Sequence, residues 1–128
     1  MARRPSRILP TIVVAQFAGT SLWFAGNAVL PDLRRAHALP ADLVGPLTIA
    51  VQLGFIVGTL LYAWLRLADR FAPRHVFLGS ALAGALCNAA LAGPADGPTS
   101  LVVARFATGL FLAGVYPVGM AIAADWYE

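Results

Sequence analysis

The sequence predicts an all-α membrane protein with four transmembrane helices, on three observations. Residues of the AVILMFWYC set make up 59% of the chain, charged residues only 12%, and the mean hydropathy is +0.76. A soluble domain carries about twice that share of charge and needs it to face water. The apolar residues fall into four runs, each long enough to be a span. A span takes about 20 helical residues to cross about 30 Å of hydrocarbon. Finally, all nine basic residues are arginine, and eight of them lie outside the apolar runs.

The first run, 8–31, carries no charge and is expected to stop at Pro31-Asp32. A cleaved leader is the competing reading, with Arg3, Arg4 and Arg7 as its basic start and Ala36-His37-Ala38 as its cleavage site. The run is too long for the apolar part of a leader, which is about 7–15 residues. The second run, 43–65, predicts a helix over 43–66 and follows Leu39-Pro40-Ala41-Asp42, where Asp42 suits an N-cap and Pro46 the first turn. The third, 75–94, ends in the turn Gly93-Pro94-Ala95-Asp96-Gly97-Pro98. Thr99 or Ser100 then caps the fourth run, 99–124, which is interrupted by Arg105 and kinked at Pro117.

Arginine placement sets the orientation. Arg3, Arg4, Arg7, Arg66, Arg70 and Arg74 fall on one side, and Arg34 and Arg35 on the other. Six against two puts both chain ends in the cytoplasm, in the cell (inner) membrane. The net charge of +3 is thus membrane flanking, not a nucleic-acid surface. Cys87 stands alone, so the chain forms no internal disulfide. His37 and His75 belong to loops on opposite faces and cannot share a site. No enzyme constellation, metal site or cofactor-binding motif is present, and the chain is read as a non-enzyme.

The chemistry lies in polar residues at membrane depth, spaced along single helix faces. Gln16, Thr20, Trp23 and Asn27 form one stripe. Thr48, Gln52, Phe55, Thr59 and Tyr62 form a second, and Arg105, Gly109, Leu112 and Tyr116 a third. Such stripes suit a lining or a helix contact and suit lipid badly. A guanidinium stays charged and costs roughly 3 kcal/mol or more at the bilayer centre, so Arg105 is expected to face a cavity, with outward snorkelling the alternative. Gly54 and Gly58 form a G-x-x-x-G opposite the second stripe, and Gly109 and Gly114 offer further close contacts.

The segment Leu67-Ala68-Asp69-Arg70-Phe71-Ala72-Pro73-Arg74 resembles the signature loop of the major facilitator superfamily, Gly-x-Leu-Ala-Asp-Arg-x-Gly-Arg-Arg, between its second and third helices. Leu67, Ala68, Asp69, Arg70 and Arg74 match, whereas Leu65, Ala72 and Pro73 depart from it. Arg105-Phe106-Ala107-Thr108-Gly109 resembles that superfamily's Arg-x-x-x-Gly motif in helix 4, and Asn27-Ala28-Val29-Leu30-Pro31-Asp32-Leu33 resembles the end of its helix 1.

The resemblance implies part of the N-terminal half of that fold, a secondary transporter in which two six-helix halves rock about a central site. It implies Asp69, Arg70 and Arg74 as a conformational-switch loop. Arg105, Asn27, Gln16, Gln52 and Tyr116 are then implied at the transport cavity or in coupling, with proton coupling implied by the pattern of the family. The implied partners are the lipid bilayer, a small-molecule substrate and C-terminal helices of the same transporter, with no nucleic acid. On this reading 128 residues hold the front third of the machine and do not transport alone. A complete four-helix dimeric transporter resembling the small multidrug-resistance family fits the length, but the first span lacks the buried Glu of that design. A non-transporting scaffold subunit is the third reading.

Overall fold

The computed structural model describes residues 5–93 and 97–127, with His37 described by its backbone alone. Arg3, Arg4 and the centre of the turn at 94–96 lie outside the described residues. All regular structure among the described residues is helical: α1 (Ile8–His37), α2 (Val44–Trp64), α3 (Leu67–Arg70), α4 (Pro73–Ala89), α5 (Pro98–Leu112) and α6 (Tyr116–Tyr127), with short 3-10 turns at Ala41–Leu43 and Ala90–Ala92. Four stretches are long and apolar enough to cross a membrane: Ile8–Ala36, Ala41–Trp64, Pro73–Ala92 and Pro98–Tyr127. The first is the least buried within the bundle and the fourth the most.

Helix α1 does not stop at Pro31. It continues to His37 and ends where Ala38 turns left-handed (φ 49°) and its N–H reaches the Arg34 carbonyl. A proline removes one backbone donor, its own, and leaves the carbonyl four residues back unpaired. That loss does not end the helix, because Leu30 and Leu33 pack against Leu43, Leu47, Leu91 and Leu101. Pro40 then holds Leu39 out of the helical region and completes the stop.

Asp42 does not cap the second span; it lies inside the 3-10 turn, and no side chain caps either the turn or α2. Neither Thr99 nor Ser100 caps the fourth span. Gly97 holds that position at φ 113°, Pro98 begins α5, and Ser100 Oγ donates back to the Gly97 carbonyl at 2.7 Å. The fourth span is broken rather than only kinked, by a turn at 113–115. Pro117 has no N–H for the Ala113 carbonyl, so the helix interrupts one turn ahead of the proline.

The closest helix pair is α2 with α5. A Cβ added at Gly54 would overlap the Phe106 carbonyl oxygen, one at Gly58 the Leu110 carbonyl oxygen, and one at Gly109 the Val51 carbonyl oxygen. The two backbones thus touch, a distance that only glycine permits. On the far side, Tyr62 and Ser80 hydrogen-bond between their hydroxyls at 2.8 Å, joining α2 to α4. Gly114 packs there, and a Cβ on it would sit 2.6 Å from Ser80 Cβ. Two apolar clusters fill the bundle: Leu30, Leu43, Leu47, Leu91 and Leu101 in one, and Val51, Leu112 and Val115 in the other, flanked by Leu22, Trp23, Phe55 and Phe77. Outside, Phe17 is 77% exposed, Trp64 80% and Leu86 74%, which matches a hydrocarbon surround rather than water.

Candidate functional site

Arg105 lies in the bundle interior. It is 0% exposed and does not line an open cavity, nor does it snorkel outward. Its Nη2 donates to the Trp23 carbonyl at 2.8 Å, and its Nη1 donates to the Leu22 carbonyl and to Asn88 Oδ1, both at 3.3 Å. Nε is buried without a hydrogen-bond partner among the described residues. Among the described residues no carboxylate pairs with this cation. Carbonyl dipoles from α1 and one amide of α4 stand in for water around it, an arrangement that holds charge at membrane depth only with such satisfaction.

The third stripe therefore faces neighbouring helices along α5 and leaves the bundle only after the break. Gly109 meets α2, Leu112 is 1% exposed, and Tyr116 is 51% exposed. Thr108, fully buried beside them, returns its hydroxyl to the Ala104 carbonyl at 2.8 Å.

The first stripe divides. Gln16, Thr20 and Trp23 are half-buried towards the fourth span, whereas Asn27 is exposed. Trp23 meets Phe55 edge to face, centroids 5.2 Å apart at 72°. Gln16 Nε2 reaches the Tyr116 carbonyl at 3.4 Å, and its Oε1 sits against Gly119, where a Cβ would overlap it. Gln16 Oε1 and Thr20 Oγ1 are both buried without a hydrogen-bond partner among the described residues.

Gln16 and Thr20 border an open groove of about 780 Å³ between α1 and α6, whose other walls include Val13, Phe17, Phe24, Met120 and Ala123. Gln16 also borders a smaller groove of about 210 Å³, together with Thr11, Arg74, Phe77 and Gly119. A wall that is apolar apart from a few polar atoms is the usual make-up of a small-molecule site.

The second stripe divides as well: Phe55 and Tyr62 meet Trp23 of α1 and Ser80 of α4, and the rest satisfies itself or faces outward. Thr48 and Thr59 donate to the carbonyls of Val44 and Phe55 at 2.9 and 2.8 Å within their own helix, and Gln52 is exposed.

The loop between the second and third spans turns at Arg66, which is left-handed (φ 52°), and not at Ala72, whose φ is −57°. Arg66 accepts the N–H groups of Asp69 and Arg70 at its carbonyl, each at 3.0 Å, and its Nε donates to Asp69 Oδ2 at 3.0 Å. This ion pair is well exposed, with side chains 72% and 65% accessible. Arg70 and Arg74 are exposed as well.

Three participants were not singled out by sequence: Asn88, Gly26 and Gly19. Asn88 was visible as a lone amide at depth in the third span. Gly19 and Gly26 lie about two helical turns apart on one face of α1, and that spacing was the signal. A Cβ on Gly19 would lie 2.6 Å from Val115 Cγ1, and one on Gly26 would lie 2.6 Å from Arg105 Nη1.

Comparison with curated proteins and with solved structures gives no match. A family model does match, and it covers residues 12–128, from the second turn of α1 to the end of the chain. Its description is Major Facilitator Superfamily, and the span includes both the Ala-Asp-Arg loop and the Arg-x-x-x-Gly helix described above. The chain therefore belongs to the Major Facilitator Superfamily, a family of membrane transporters.

Proposed function

We propose that the chain supplies one wall of an alternating-access, proton-coupled secondary transporter for a small solute, and that further helices of the same transporter close the opposite wall. The observation that carries this reading is the groove of about 780 Å³ along α1 and α6. It is open, mostly apolar, and lined in part by Gln16 and Thr20, whose side-chain oxygens lie buried at its edge without a hydrogen-bond partner among the described residues. In this reading Gln16 faces the solute, and Tyr116 stands beside it at the break in the fourth span. Asn27 and Gln52, exposed on spans α1 and α2, meet the further helices. Asp69, Arg70 and Arg74 form the switch loop on the cytoplasmic side, where the arginine distribution also places both chain ends. Arg105 acts from inside the bundle, holding α1 to α5.

Rocking between two states needs a second body to close on the groove. The 128-residue chain alone is therefore expected to be inactive. Two preparations test this in proteoliposomes loaded with a pH-sensitive dye and offered a panel of small solutes: the chain alone, and the chain together with the further helices that the proposal requires. A solute-driven pH change only in the second supports the proposal. Uptake by the chain alone refutes the need for a second body, and solute uptake without proton movement refutes the coupling.

A further inference from the structure

The guanidinium of Arg105 is held in a socket built from two neighbouring spans, the first and the third. Helix α1 contributes the carbonyls of Leu22 and Trp23, and α4 contributes Asn88 Oδ1. The floor is Gly26. A Cβ built there would lie 2.6 Å from Nη1, 2.8 Å from Cζ and 2.9 Å from Cδ of Arg105. The three nearest atoms all belong to Arg105, so the missing side chain at position 26 is space that this one residue occupies. The two carbonyls already accept helical N–H groups, those of Gly26 and Asn27. Their second lone pairs take the cation, and Asn88 adds the one side-chain acceptor.

We propose that Gly26 and Asn88 are positioning residues: they seat Arg105 against the backbone of α1 and thereby set how far α1, the wall of the groove, stands from α5. This rests on the transporter reading only for its functional meaning; the socket itself is read from contacts. The chemistry has a directional consequence. Asn88 faces a cation that no carboxylate pairs with among the described residues, so Asn88→Asp puts a carboxylate where a charge awaits it. Asn88→Leu keeps similar volume and removes the acceptor. A residue that merely packed would tolerate Asn88→Leu at least as well as Asn88→Asp, because an unpaired buried carboxylate is the costlier of the two. Likewise, Gly26→Ala should be harmful only while the guanidinium fills the space beside it.

The test uses the 128-residue chain in detergent or nanodiscs and does not require transport, so it stands or falls separately from the transporter reading. Spin labels at Phe24→Cys and Val103→Cys, both exposed positions, with Cys87→Ser, report the distance from α1 to α5. Thermal unfolding is followed in parallel. The proposal expects Gly26→Ala to broaden the distance distribution and lower the unfolding midpoint, with less than half of that effect remaining when Arg105→Ala is added. It also expects Asn88→Asp to hold or raise the midpoint while Asn88→Leu lowers it, and the tolerance of Asn88→Asp to vanish beside Arg105→Met. An equal Gly26→Ala effect with and without the arginine, or a loss for Asn88→Asp that equals or exceeds that for Asn88→Leu, overturns the proposal. If the Arg105 variants fail to fold, the Asn88 pair in the native background still decides it.

Discussion

Gly109→Ala is the sharpest probe of how the fourth span meets the second. A Cβ at that position would overlap the Val51 carbonyl oxygen and lie 2.9 Å from Val51 C and 3.0 Å from Phe55 N. Ordinary contact between such atoms is about 3.5 Å or more, so these two contacts alone part α2 and α5 by at least about 0.5 Å, and the overlap with the oxygen adds to that. A radial gap of that size forfeits roughly a quarter of each van der Waals contact along the seam. Gly54 and Gly58 lie on the same seam and lose their contacts together with Gly109. Overpacking of this kind costs about 1–3 kcal/mol, against a gain of about 1 kcal/mol in helix propensity. The structure supplies its own control in Gly79, also helical, with nothing within 4 Å of an added Cβ. Gly79→Ala should keep the propensity gain alone, so the two variants should differ by about 1–3 kcal/mol. Cys87, partly buried in the third span, reports unfolding by reaction with a thiol-sensitive dye as detergent-solubilised protein is heated. The midpoint should fall for Gly109→Ala and hold or rise for Gly79→Ala. Equal midpoints for the two would refute backbone contact as the reason for glycine at 109.

Tyr62→Phe removes the 2.8 Å hydroxyl contact with buried Ser80 and should cost about 1 kcal/mol in the same melt, with Ser80→Ala adding little further to it. Arg66→Gly relieves a left-handed φ of 52° and gives up only an exposed ion pair, so stability should rise by up to about 1 kcal/mol in chemical denaturation. Asp69→Asn breaks that same ion pair and should move the midpoint by no more than about 0.5 kcal/mol. In the assembled transporter the same Asp69→Asn change should still reduce solute uptake, which vesicle flux measures directly.

Hydropathy made the four spans legible, because crossing a bilayer demands long apolar runs whatever the neighbours do. The glycines at 54, 58 and 109 were legible as places of close approach, although the identity of the facing helix was not. Local chemistry failed where contacts between distant residues decided the outcome. Pro31 reads as a stop, yet α1 runs on, because leucines from other spans cover its last turns. Arg105 reads as a lining residue because charge at depth usually marks a water-filled path. Its acceptors are carbonyls 82 and 83 positions away in sequence, and no side-chain pattern announces a carbonyl. Asn88 was readable in principle as the lone amide at depth in the third span. Of the polar stripes, Gln16 and Thr20 border the groove, while Asn27 and Gln52 face outward from the described helices.

Arg105 is permanently ionised and tied to the backbone of a neighbouring helix, which limits its electrical role. An elementary charge moved through a full 100 mV drop exchanges about 2.3 kcal/mol with the field. Anchored in this way, the guanidinium travels only as far as the bundle itself tilts. A shift across a tenth of the drop would amount to about 0.2 kcal/mol, well below thermal energy. Membrane voltage would hardly sense such a tilt, and any strong voltage dependence of the assembled transporter would have to arise from charges carried elsewhere.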